Sequence, residues 1–295
     1  MNMDYLFSLQ GSIFEKGIPI HIASKSLFEL QNIFDKTFLI TSGKQRITPK
    51  QRKKFYLQTE TIKHSSLQTY FDIIMGSMQV MLPVYQGIGP ENIWNLTKSS
   101  YDFLKLLFQA HAQGKSTHIS VTDNSECTLT IQGDNSTTYN APVLNIAKLS
   151  ISNWQEMYGL LSDGGISDLS LGHGDNPEIK VNESERELFN LPTKTEKEPL
   201  EPECNIIEFN KTKKTGKLIV PKGQPLKEGN YKFTTVGNQE ISKYIESMLY
   251  NRVRIHCLKE TVFDPLAQKE IIIRLHVVDV LSRHTSSPKQ IPLLP

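Results

Sequence analysis

Four lysines crowd into the seven residues Lys211-Thr212-Lys213-Lys214-Thr215-Gly216-Lys217. Ammonium groups that close together can neutralise several phosphates of a polyanion. Tyr231 and Phe233 follow, two residues apart on a segment of strand character, where their rings could stack on bases. Arg252, Arg254 and His256 then recur at every second residue, opposite Val253, Ile255 and Cys257, so a β pleat places the three polar groups on one face. Arg274 and His276 repeat the pattern on the next segment. The chemistry these residues share is binding of nucleic acid or another polyanion, tolerant of base sequence and sensitive to salt. The same residues also suit a solubilising hairpin loop, a core position for Phe233, and the solvated side of a half-buried sheet.

Other clusters are weaker. Lys44, Arg46, Lys50, Arg52, Lys53 and Lys54 surround Pro49 in a second candidate anion site, although runs of charge also serve as solvated loops. Met75, Met78 and Met81 at i, i+3, i+6 could present a soft apolar patch or pack in a core. Asp163, Asp168, His173 and Asp175 offer ligand types for a metal, but their spacing matches no ligand pattern, and Gly with Asp is the composition of surface turns. Gly87-Ile88-Gly89-Pro90 lacks the third glycine of a dinucleotide loop and the Lys-Ser/Thr of a phosphate loop. There is no HExxH and no GxSxG. No catalytic residue, metal ligand or cofactor is assigned, and the chain reads as a binding protein.

The elements that must position the basic residues lie in the last third of the chain. Strands at Asn205 to Phe209, Lys217 to Val220 and Asn230 to Val236, a helix from Asn238 to Leu249, and strands at Arg252 to Leu258 and Glu270 to Leu281 give the order β-β-β-α-β-β. That is the connectivity of a five-stranded small barrel of the oligonucleotide-binding type, with its helix between strands 3 and 4. Ahead of it, residues 193–203 combine prolines with Thr, Lys and Glu and are expected to form an exposed, charged, Pro-rich linker. The remainder, residues 1–192, mixes helix and strand patterns. A strand at Tyr5 to Gln10, a helix from about Ser24 to Ser42 and a strand at Phe55 to Lys63 come first. A helix from Pro90 closed by Gly114 follows, with a hairpin across Asp123-Asn124-Ser125, a helix near Ser152 to Leu161, and strands near Ile166 to Leu171 and Glu178 to Val181. The segment from Gln68 to Gly87 satisfies either period. The expected architecture is therefore α+β: an N-terminal mixed α/β domain (1–192), the linker (193–203), a barrel (204–282) and a flexible tail (283–295).

Composition sets the bounds. The 295 residues are 38% hydrophobic and 22% charged, which fits an ordinary soluble protein and favours neither a disordered nor a membrane class. Residues 204–295 hold 15 Lys and Arg against 8 Asp and Glu, about +7, leaving about −5 on the rest. The basic character is thus concentrated where the candidate site lies. Cys127, Cys204 and Cys257 are far apart with no CxxC pair, which argues against a disulfide framework or a zinc ribbon. With no basic n-region and apolar h-region at the N-terminus, the expected location is the cytoplasm, with no membrane partner.

Residues 9–114 carry a resemblance. Leu9-Gln10-Gly11, then Ile22-Ala23-Ser24-Lys25-Ser26-Leu27-Phe28-Glu29-Leu30, and the Pro90–Gly114 segment with Tyr101-Asp102-Phe103 resemble an uncharacterised bacterial family with a domain of unknown function. The chain departs from it at Ser65-Ser66-Leu67, where the family has glycine-serine-phenylalanine. The resemblance implies a separate small β-rich C-terminal part and a place in defence against phage, and it brings no functional residue to a particular position. Two functions are expected: binding of nucleic acid or another polyanion through the basic C-terminal part, or a protein–protein interaction and oligomerisation module that docks on a defence effector.

Overall fold

The computed structural model describes residues 5–63, 66–76, 89–122, 126–134, 136–162 and 165–283. The chain divides into two compact units, Met1–Asn190 and Leu191–Pro295.

The N-terminal unit is α+β. Strand β1 (Tyr5–Gln10) lies at the centre of a five-stranded antiparallel sheet with β2 (Phe55–Lys63), β3 (Leu67–Met75), β7 (Asp168–His173) and β8 (Asn176–Asn182), in the order β2-β3-β1-β7-β8. Helix α1 (Ile20–Ser42) ends where Gly43 turns left-handed at φ 65°, which lets Lys44 N donate to the Leu39 carbonyl at 3.0 Å. Helix α3 (Pro90–Ala112) opens on proline, whose missing N–H is no loss in a first turn. Both bury their apolar stripes on the face of the sheet that carries Tyr5 and Phe71: Tyr5 lies 4.9 Å from Trp94, and Phe34 lies 5.7 Å from Phe71. A three-stranded sheet follows, of β4 (Thr117–Thr122), β5 (Glu126–Ile131) and β6 (Thr137–Asn140), and then α4 (Ala141–Gly159), which packs on α1 and α3.

Helix α4 begins 11 residues before the expected Ser152. Pro142 is the second residue of its first turn, where the N–H it lacks would have no partner within the helix, so the proline is compatible with this earlier start. Of the segment left open between Gln68 and Gly87, residues 68–75 belong to β3, and residues 77–88 lie outside the described part, with Met78 and Met81. Met75 is on a strand, so no helical methionine stripe runs through it.

The C-terminal unit is a β-sheet domain of β9 (Lys194–Thr195), β10 (Glu203–Asn210), β11 (Thr215–Val220), β12 (Gly229–Thr235), β13 (Val253–Asp264) and β14 (Lys269–Arg283), with α5 (Ile241–Ser247) between β12 and β13 in sequence. The expected five-stranded barrel is not what forms. The sheet has six strands in the order β10-β11-β12-β14-β13-β9 and does not close into a barrel. β10 meets β13 at only two residue pairs, Glu203↔Arg254 and Cys204↔Val253, whereas β11 and β12 share six. The sixth strand comes from the segment read as a linker, which takes up the edge of β13 and leaves most of β10 without a partner on that side.

Residues 193–203 keep mostly exposed side chains, but their backbone is held against β13. Thr195 and Lys194 pair with Glu260 and Thr261, Leu200 and Cys257 exchange backbone bonds at 2.8 and 2.9 Å, and Ile255 N donates to Pro202 O at 3.2 Å. Prolines lack only their own N–H, so an edge strap can keep its other backbone groups paired. Leu200 adds its side chain to a core built from Cys204, Ile206, Leu218, Phe233, Val253, Ile255, Cys257, Leu275 and Val277. Tyr244 of α5 covers that core, with its ring stacked 5.0 Å from Phe209. Residues 284–295, most of the expected tail, lie outside the described part.

Candidate polyanion-binding surface

Alternation decides which side chains the C-terminal sheet presents. On β12, Phe233 points into the core at 1% exposure and Tyr231 packs against the core, so Lys232 between them points out. Lys217 stands directly across from Lys232, and Glu208 directly across from Lys217 on the other side. β12 and β14 run parallel with Phe233 opposite Leu275, so the preceding residues Lys232 and Arg274 share the outer face, and Arg274 is paired in turn with Glu260. Five strands thereby carry one row: Glu208, Lys217, Lys232, Arg274, Glu260. With strands about 4.8 Å apart, the three cations at its centre span about 10 Å.

The basic turn is fixed to one end of this face. Asn210 Oδ1 accepts from the backbone N–H of Thr212 and of Lys213 at 3.0 Å each, closing the turn, and Lys214 takes a left-handed φ of 53°. The Lys214 carbonyl accepts from Thr235 N at 3.0 Å and from Thr234 Oγ1 at 3.3 Å. Thr234 is opposite Thr215 and beside His276, which forms a second row about 7 Å from the first. Lys211 and Lys213 are exposed and Lys214 half-buried.

Partners set how available each cation is. Lys217 Nζ lies 2.6 Å from Glu208, both half exposed. Such surface pairs are worth about 0–1 kcal/mol, so a phosphate can replace the carboxylate at little cost. Arg274 Nε is 3.9 Å and His276 Nε2 is 3.2 Å from Glu260. Among the described residues, no carboxylate is paired with Lys232, Lys211, Lys213 or Lys214.

The expected residues therefore separate into three groups. Lys217, Arg274, His276 and the Lys211, Lys213 and Lys214 turn share the outer face. Phe233 does not offer a ring to a base: it is core, clustered with Phe209 and Tyr244 at 6.0 Å from each. Tyr231 gives its hydroxyl to the Lys227 carbonyl at 2.7 Å, and burial pushes its pKa up. Arg252, Arg254 and His256 lie elsewhere, about 20 Å along β13 from Glu260 in the case of Arg254. There they face acids of the N-terminal strap: Glu203 at 3.6 Å from both arginines, Glu201 at 3.3 Å from His256. Lys232, outside the set expected from sequence, belongs to the same face. Its signal is present in Tyr231-Lys232-Phe233, since a lysine between two aromatics that turn to the core must face outward.

The other clusters hold no reactive arrangement. Arg52 is withdrawn from the Lys44–Lys54 cluster, because its guanidinium bonds both carboxylate oxygens of buried Asp35. Asp163 lies outside the described residues, and Asp175 accepts from the Tyr70 hydroxyl. Among the described residues no group of three metal-ligating side chains comes together, and no helix is long and apolar enough to cross a membrane. The three cysteines are buried and unbonded, and burial pushes the thiols of Cys204 and Cys257 up to about 12. No family model, curated protein or solved structure matches the chain.

Proposed function

We propose that the C-terminal sheet domain binds a polyanion, with single-stranded nucleic acid as the ligand class, through Lys217, Lys232 and Arg274 and the adjacent Lys211–Lys214 turn. The observation that carries this function is the row of three cations on neighbouring strands with an unpaired lysine at its centre. No aromatic ring faces outward there, so affinity comes from phosphates, with little base preference and a steep salt dependence. The three unbonded thiols suit a reducing compartment, and we place this binding in the cytoplasm.

The test is a titration of fluorescent oligothymidylate at low salt. Lys217→Glu with Lys232→Glu should weaken binding by on the order of tenfold or more and flatten the salt slope by about 1.4, the loss of two phosphate contacts. Unchanged affinity in a folded double variant overturns the assignment. A second use of the same domain is favoured by one feature, the exposed Ile207 and Ile219 on β10 and β11, 48% and 38% open beside Lys217. They suit a protein partner or a second copy. Light scattering showing a stable oligomer, with no oligothymidylate binding, would select it.

A further inference from the structure

β13 and the residue before it carry four basic side chains, and each faces a carboxylate from one short stretch. Glu203 lies 3.6 Å from Arg252 and 3.6 Å from Arg254, Glu201 3.3 Å from His256, and Glu196 2.8 Å from Lys259. The stretch is extended and seated along the strand by backbone bonds at Glu196, Leu200 and Pro202. An extended chain that sets an acid against each of several cations occupies the positions that phosphates of a bound strand would take. Including residues 191–203 lowers the formal charge of the C-terminal unit from about +7 to about +5. A strap needed only to cover a sheet edge requires backbone pairing and no particular charge. This one places Glu201 and Glu203 on all three of the basic side chains that alternate along the outer face of β13 and the residue before it, Arg252, Arg254 and His256.

We propose that Arg252, Arg254 and His256 form a second polyanion-binding surface, which this chain's own residues 194–203 occupy through Glu201 and Glu203 as an internal competitor. Resting on the function proposed above, this means that the wild-type protein engages a polyanion through the Lys217–Arg274 row alone, while the strap keeps β13 closed. The masking pairs are open to water: Arg252 is 58% and Arg254 45% exposed. A dense row of phosphates therefore competes with the strap for them, and neutral side chains in the strap leave them free.

The experiment compares oligothymidylate binding by the full chain, by a Glu201→Gln/Glu203→Gln variant, and by that double variant with Arg252→Ser and Arg254→Ser added. The double variant should bind on the order of tenfold more tightly at low salt, with a steeper salt slope, and the added serines should cancel the gain. Equal affinity of wild type and double variant, or a gain that survives the serines, overturns the mask. Binding by the double variant in a protein whose wild type does not bind would sink the Lys217–Arg274 row and keep the mask. If neither binds, both fall. Should the double variant lose its fold, Glu201→Gln alone carries the same test, because Glu201 is 53% exposed and touches only His256 among the described ion pairs. A smaller gain of the same sign is expected, and no gain overturns the proposal.

Discussion

Gly216 sits where two strands and an aromatic ring converge. A Cβ there would meet the Glu208 carbonyl oxygen at 2.3 Å and the Phe233 ring at 2.5 Å. Neither neighbour can give way without moving β10 or the core, so Gly216→Ala should cost about 1–3 kcal/mol, read as a lower urea midpoint with the N-terminal unit unaffected. An unchanged midpoint would mean that the two strands are free to separate. The buried thiols give a second residue-scale test. Cys204 and Cys257 have ordinary values near 9 raised to about 12 by burial. Below pH 9 both states keep the proton and nothing changes. Between 9 and 12 the unfolded chain releases it and the folded chain does not, so stability falls by about 1.4 kcal/mol per pH unit for each thiol. Urea midpoints taken across that range should fall more steeply for wild type than for Cys204→Ala/Cys257→Ala. Parallel curves would show that the thiols titrate normally in the fold.

Between elements, the Asp35–Arg52 pair joins α1 to the short helix α2 (Pro49–Arg52). The carboxylate side chain is 10% exposed, Gln31 Nε2 donates to it at 2.8 Å, and its hydrogen bond raises the Arg52 pKa. Arg52→Ala leaves the acid with Gln31 alone and should destabilise the N-terminal unit by about 1–3 kcal/mol, without changing oligothymidylate affinity. Loss of that affinity would instead place Arg52 in a binding site. This pair also marks what the sequence could not disclose. Periodicity located most strands within two or three residues, because alternation of Val253, Ile255 and Cys257 against Arg252, Arg254 and His256 is a local property. Which acid faces which base is not local. Glu201 and His256 are 55 residues apart and meet only because the strap pairs with β13. Phe233 was legible as strand but not as core, since an inward and an outward aromatic have the same spacing until the neighbouring strands are known. Lys232 was legible from the same alternation, because it follows once the rings on either side are assigned to the core.

At the scale of the whole molecule, charge is divided between two units, and the segment that joins their sequences has a structural part in the second. The core of the C-terminal unit is made of its own residues, from Cys204 to Val280, with Leu200 packed against it from the strap. A fragment of residues 191–295 should therefore fold alone, with Cys204 and Cys257 closed to a thiol reagent until denaturant is added. A fragment of residues 204–295 keeps all the long strands but loses the β9 pairs, the Leu200–Cys257 bonds and the Leu200 contact. Partial burial of one leucine and a few net hydrogen bonds together give a deficit of about 2–4 kcal/mol. The shorter fragment should also bind oligothymidylate more tightly, because the strap that holds acids against Arg252, Arg254 and His256 is gone. A passive linker of the same charge would raise affinity slightly on removal but leave the urea midpoint unchanged, so lower stability together with a large gain in affinity marks a strap that is both paired and masking. Equal urea midpoints and at most a slight difference in affinity between the two fragments would return residues 193–203 to that passive role.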